Sequence, residues 1–270
     1  MKKSKLVKKI LMVTAILALG TGLIACGSAN KSGKSGEKTE LVMGLDDTFV
    51  PMGYKDDNGE LVGFDIELAK AVEKKIGKKI KFQPIDWSMK ESELNNGNID
   101  LIWNGYSVTD ERKEKVEFSD VYLNNRQVII TLADSKINSK KDLAGAKVGA
   151  QNQSSSVDAI NEDKDTLKTF DGGKVVTYET NNDALMDLEA KRVDAVVADE
   201  ILARYYIKGR GETKYKILKD DFGNESYAIG IKKGNTKLVE DINKALKDVI
   251  KDGTAGDISK KWFGEDIIVK

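Results

Sequence analysis

What most limits the fold of this chain is a regular alternation of short apolar runs with amphipathic helical stretches, beginning near Glu40 and continuing to the end. Residues 41–45 read as a first strand. A helix from about Asp65 carries Phe64, Leu68, Val72 and Ile76 at intervals of four and is stopped by Gly77. Asn58-Gly59 marks a turn ahead of it. A strand over 79–83 leads into a loop holding Pro84, Asp86 and Trp87. A short helix ends at 94–97, a strand follows at 99–102, and a helix starts from Thr109. Beyond these the pattern predicts an extended segment over 127–132, a helix near Lys140 and strands over 147–150, 174–178 and 193–198. It also predicts helices from Ser154, over 182–192 and from about Glu200, a second extended segment over 226–232, and two C-terminal helices ending near Trp262. Alternation of this kind is the mark of an α/β fold with parallel sheets.

A partly hidden repeat lies within it. Residues 94–102 align with 188–196, with a leucine, a β-branched residue, an aspartate and an apolar pair at matching offsets. The match suggests two lobes of similar build, each presenting its strand ends to a cleft between them. The first of these strands runs through Asn104, Gly105 and Ser107 to a helix start at Thr109, a plausible N-cap, with Asp110 and Glu111 where the helix dipole favours acids. Arg112 stands in the same first turn, against the dipole. Either it is a solvated surface arginine, or it faces the carboxyl end of the strand to meet an anion there. The second strand ends at Asp199, which is either a plain N-cap for the next helix or a counter-charge. Taken together, a cation at one strand end and an acid at the other would grip a zwitterion.

The chain has 270 residues with 44 basic against 44 acidic side chains. Residues 1–25 hold five lysines and no acid, then an apolar run, and read as a secretory signal too short for a comfortable membrane span. Without them acids outnumber bases by five, and there is no basic tract, so a nucleic-acid partner is not expected. Cys26, the single cysteine, ends this segment in a Leu-Ile-Ala-Cys-Gly stretch that resembles the bacterial lipobox, where the cysteine is lipidated. Residues 26–40 read as a flexible tether. A lone cysteine excludes a disulfide framework, and the absence of histidine removes the usual general base and the common zinc ligand. No phosphate-cradling glycine loop or calcium loop is present, so no cofactor or metal is expected. Asp46 and Asp47 are neighbours that an extended backbone points apart, which speaks against a cooperating acid pair and an enzyme. A ligand-sensing ectodomain would need a membrane span after the second lobe, and none follows before Lys270.

Four ordered motifs then complete a resemblance: the lipobox, residues 63–69 (GFDIELA), residues 107–112 (SVTDER) with 116–119 (VEFS), and residues 261–264 (KWFG). Together they resemble the amino-acid-binding lipoproteins of ABC importers, solute-binding protein family 3. The resemblance implies an α/β type II periplasmic-binding-protein fold, two Rossmann-like lobes joined by two crossing strands, closing on an L-amino acid. Residues 41–126 and 228–270 would form lobe 1 and 127–227 lobe 2, with the crossings at 125–131 and 226–232. It puts Arg112 on the ligand α-carboxylate, helped by Ser107 and the Gly105 N–H. Ser154 and Ser155 would sit at a helix start on the other lobe, with Ser155 donating from there. Asp199 would hold the α-ammonium, with Asp46, Phe49 and Trp87 near the ligand side chain. Asn104 replaces a small hydroxyl residue common in binders of cationic ligands, and Gln151 stands where an apolar residue is frequent. These two, with Trp87, lean toward glutamine or another neutral polar ligand, cystine included, although Asp46 would also suit lysine or arginine. The implied partners are an ABC permease and, through the lipid on Cys26, the outer face of the cell membrane. The body itself is expected to be a monomer. A dehydratase sharing this fold is the enzymatic alternative.

Overall fold

The structure, a computed structural model, describes residues 38–270. The signal segment and Cys26 lie outside them. The strands in chain order are β1 (Glu40–Leu45), β2 (Thr48–Phe49), β3 (Gly53–Lys55), β4 (Leu61–Val62), β5 (Lys79–Pro84), β6 (Leu101–Ile102), β7 (Val116–Phe118), β8 (Leu123–Leu132), β9 (Val148–Gln151), β10 (Val176–Tyr178), β11 (Ala195–Asp199), β12 (Tyr215–Tyr227) and β13 (Gly230–Lys232). The helices are α1 (Phe64–Ile76), α2 (Lys90–Asn96), α3 (Asp110–Lys115), α4 (Ser155–Glu162), α5 (Lys164–Leu167), α6 (Asn181–Glu189), α7 (Glu200–Arg210), α8 (Thr236–Lys251) and α9 (Thr254–Phe263).

Among these residues the strands form two five-stranded mixed sheets, ordered β5-β1-β6-β13-β7 and β10-β9-β11-β8-β12, with a small β2-β3-β4 meander beside the first. In each sheet the first three strands are parallel and the last two pair antiparallel, so each is a short doubly wound lobe of the kind the alternation requires. Helix α1 forms where the four-residue spacing places it and buries Phe64, Ile66, Leu68 and Val72 against the first sheet. Gly77 ends it in the left-handed conformation at φ 66°, a backbone that costs only glycine nothing. Asp56 to Glu60 make the turn between β3 and β4.

The repeat is real at the level of hydrogen bonds. Asp100 Oδ2 accepts from the Val42 N–H at 2.9 Å, and Asp194 Oδ2 accepts from the Lys147 N–H at 2.8 Å. The two aspartates also donate their own N–H groups to the carbonyls of those same residues. Each therefore braces the start of the neighbouring parallel strand, while Leu94 and Leu188 sit fully buried behind it.

Three parts of the sequence pattern differ from the structure. The tether expected over 26–40 ends sooner, since Lys79 N–H already donates to Thr39 O and Glu40 opens β1. The second extended segment expected over 226–232 is not a single strand. It is instead two strands, β12 from Tyr215 and β13 from Gly230, and β12 pairs with β8 over its whole length with register shifts around Asp221. The connection into the second sheet starts at Leu123, which pairs with Tyr227, earlier than the sequence pattern put it.

Candidate functional site

The loop that leaves β6 is shaped from beneath by Asp65 on α1. Its fully buried carboxylate accepts from Trp103 Nε1 at 3.2 Å, Gly105 N at 2.8 Å and Tyr122 Oη at 3.1 Å. Burial raises it to about 7, against these hydrogen bonds, which pull it down. Gly105 has φ +57°, and a Cβ there would stand 2.8 Å from the Phe49 ring and 3.2 Å from that of Tyr227, so only glycine fits. The family resemblance puts the Gly105 N–H on the ligand α-carboxylate. It is committed to Asp65, and Gly105 contributes close approach instead.

Thr109 caps α3 by accepting from Arg112 N at 3.1 Å, and the Arg112 side chain folds back from that first turn. Its guanidinium donates to Ser107 O at 3.0 Å and to Gln153 O at 3.4 Å, and lies 4.6 Å over the Tyr106 ring. At 4% exposure it is not a solvated surface arginine. It faces the strand end.

On the second sheet, β9 ends at Gln151 and Ser154 caps α4, with Ser155 in its first turn. Ser155 Oγ lies 3.0 Å from Ser107 Oγ of the first lobe, and Gln127 Nε2 donates to it at 3.2 Å. β11 ends at Asp199, whose side chain makes no capping bond to α7. Its Oδ1 accepts from Asn125 Nδ2 at 2.6 Å, Gln127 Nε2 at 3.1 Å and Tyr227 Oη at 2.6 Å. Burial, reinforced by Glu225 alongside, pushes this carboxyl well above the ordinary aspartate range. The plain N-cap alternative is thereby set aside.

Asp46 closes the cavity between the lobes. Its Oδ1 takes the Thr48 N–H and hydroxyl, and its Oδ2 takes Gln151 Nε2 from the second lobe at 2.7 Å. Burial raises the Asp46 carboxyl, and the Thr48 and Gln151 bonds oppose that rise. Its neighbour Asp47 pairs with Lys55 at 2.6 Å, so the two acids do part as an extended backbone requires. Asn104 Oδ1 accepts from Asp46 N at 3.1 Å, which fixes the amide and leaves its buried Nδ2 without a protein acceptor. Trp87 stands edge-on to Tyr106.

All eleven residues singled out from the sequence (Asp46, Phe49, Trp87, Asn104, Gly105, Ser107, Arg112, Gln151, Ser154, Ser155 and Asp199) line one cavity. A line of hydrogen bonds runs from Arg112 through Ser107, Ser155 and Gln127 to Asp199. Chemically the cavity offers a cation at one end, an acid at the other and an amide-lined flank. Among the described residues no cluster of three acidic, cysteine or histidine side chains could hold a metal, and no helix is long and apolar enough to cross a membrane.

Sequence reasoning missed four contributors around Asp199: Asn125, Gln127, Tyr227 and Glu225. Two polar amides alternating at the entry to an otherwise apolar strand were the available signal. It also missed Lys90. That side chain is 1% exposed and donates to Trp87 O at 3.2 Å and, across the cleft, to Gln153 O at 2.9 Å. Burial and the nearby Arg112 lower its ammonium to about 8.

Residues 41–265 match the model for bacterial extracellular solute-binding proteins, family 3. An arginine-binding extracellular protein, ArtP of Bacillus subtilis, is 34% identical over 258 residues, covering 95% of this chain and 98% of that protein. An ABC uptake transporter substrate-binding protein from Streptococcus pneumoniae, solved with bound histidine, superposes with a TM-score of 0.84 at 42% identity, covering 86% of this chain and 95% of that one. An ancestral arginine-binding protein solved with glutamine gives a TM-score of 0.78 at 41% identity, covering 85% and 100%. With the type II periplasmic-binding fold and the cavity at its strand ends, these findings establish that the chain belongs to the family 3 extracellular solute-binding proteins, the amino-acid-binding components of ABC transporters.

Proposed function

We propose that this protein captures a polar L-amino acid by closing residues 41–126 and 228–270 over residues 127–227, and delivers it to an ABC permease. Cys26 would carry the lipid that holds it at the outer face of the membrane. Arg112, with Ser107 and Ser155, takes the α-carboxylate, and Asp199 takes the α-ammonium. The observation that carries this reading is the convergence of a buried guanidinium and a buried carboxyl from different lobes on one cavity. Contacts that exist only when the lobes are together give the ligand its leverage over the open state. A micromolar dissociation constant needs about −8 kcal/mol, and two charged hydrogen-bonding anchors at roughly 1.5–3 kcal/mol each would supply much of it.

At the side-chain end, Asn104 Nδ2 is a donor in need of an acceptor and Asp46 is an acceptor. A carboxamide offers both partners, so glutamine is the favoured ligand and cystine a rival. Arginine is the second reading, favoured by the Asp46 carboxylate. A thermal-shift screen of the twenty amino acids and cystine tests the assignment. Glutamine should give the largest rise in melting temperature. A largest rise with arginine would shift the ligand to the second reading, and no rise with any amino acid would overturn the function.

A further inference from the structure

We propose that the ammonium end of the cavity is a two-carboxyl site, Asp199 paired with Glu225, which holds one shared proton until the cationic group of a ligand replaces it. This rests on the reading that Asp199 meets the ligand ammonium. Strand β8 lies between the two acids in the sheet, with Gln127 opposite Asp199 on β11 and Asn125 opposite Glu225 on β12. Residues two apart on a strand point the same way, so both amides reach both acids. Asn125 Nδ2 donates at 2.6 Å to Asp199 Oδ1 and at 2.6 Å to Glu225 Oε1. Gln127 Nε2 donates to the same two oxygens at 3.1 and 2.8 Å. Two carboxyls that share two donors stand against each other, and without a cation they cannot both be ionised at low cost.

The groups facing the pair from every neighbouring element are uncharged or otherwise committed. Tyr227 of β12 donates its phenol to Asp199 at 2.6 Å. Arg126, between the two amides, is turned to Glu200 and Asp221 at 2.5 and 3.1 Å, and Glu200 is shared with Arg204 on α7. From α4 come the hydroxyls of Ser155 and Ser156, both on Gln127, and Arg112 is bound to the Ser107 and Gln153 carbonyls with Asp158 of α4 at 3.9 Å. Burial and Glu225 act in the same direction on the Asp199 carboxyl, holding its proton.

Binding is then an exchange. The ligand ammonium enters, the shared proton leaves to solvent, and the charge of the pair with its cation is unchanged. The chain contains no histidine, so a proton released near neutral pH has few other sources. Asp65 and Lys90, raised and lowered to about 7 and 8, are the ones to separate.

Titration calorimetry with L-glutamine and L-arginine at pH 6, in phosphate and in bis-Tris, reads the protons released per ligand bound. The protein should release about one proton at pH 6, and affinity should fall up to about tenfold per unit as pH is lowered further. In Glu225→Gln, confirmed as folded by circular dichroism, binding should weaken but stay measurable while the protons released per ligand bound fall away; Asp65→Asn should leave proton release in place. Binding without proton release by the unaltered protein, or undiminished release by Glu225→Gln, overturns the proposal and leaves the amino-acid site standing. Failure of both amino acids to bind the unaltered protein would overturn the site and the proposal with it.

Discussion

Lys90 Nζ reaches across the cleft to the Gln153 carbonyl at 2.9 Å, the same oxygen that Arg112 approaches at 3.4 Å. Two cations of one lobe thus converge on a single carbonyl of the other, one residue before Ser154 caps α4. Gln153 accepts them with a left-handed backbone, φ +56°, which an ordinary side chain adopts only when its surroundings impose it. The contact joins the Arg112 loop of one lobe to the start of α4 in the other, beside the Ser107–Ser155 hydroxyl pair.

Replacing Lys90 with methionine keeps the buried stem and removes the cross-cleft donor. The dissociation constant should rise about tenfold, equivalent to ~1.4 kcal/mol, with most of the change in the dissociation rate. Stopped-flow fluorescence, following ligand release, checks this; an unchanged off-rate would show that Lys90 only fills space.

Arg112→Ala should weaken binding by about 2 kcal/mol or more, roughly 30-fold, because it strips the carboxylate of its charged partner. Calorimetry with the favoured amino acid and with its α-carboxamide separates the cause. The carboxamide should bind the variant and the original protein nearly alike.

Trp87→Ala should reorder the amino acids more than it weakens them all, since Trp87 flanks the cavity while Arg112 and Asp199 hold its ends. The thermal-shift screen repeated on this variant gives the ranking. An equal loss for every amino acid would place the ring in the common anchor rather than in selectivity.

Asp65 predicts a pH effect on stability. Its folded value of about 7 lies above the ordinary 3.8, so the folded chain binds more protons than the unfolded one between them. The contribution is fully present below about pH 4 and is lost as pH rises through 7. Melting curves of the protein and of Asp65→Asn between pH 5 and 8 should therefore converge with rising pH.

Much of the architecture was legible because it depends on local pattern. The four-residue spacing of α1, the Gly77 stop, the Thr109 cap and the helix start at Ser154 are decided within one or two turns. The twin aspartates were visible because the two halves solve the same problem with the same residues. Strand β12 was not legible. Lys216, Lys219, Asp220, Asp221 and Asn224 break any apolar alternation, and the strand exists because it pairs with β8. Lys90 hid for a related reason. Nothing in its charged neighbourhood, Lys90-Glu91-Ser92-Glu93, shows that the lysine alone turns inward. The Gly105 N–H was misassigned because Asp65 is 40 residues away in sequence.

The strand-start braces made by Asp100 and Asp194 carry a practical consequence. Each is anchored wholly inside its own sheet, to Val42 in one and Lys147 in the other. A segment spanning the second sheet, exchanged for that of a relative, would arrive with its own scaffolding intact. The covalent seams to match would be the β8 and β12 ends, and the graft would also have to meet Lys90, Arg112, Ser107 and Asp46 across the cleft; with those kept, modular grafting is a route to carriers with altered nutrient preference.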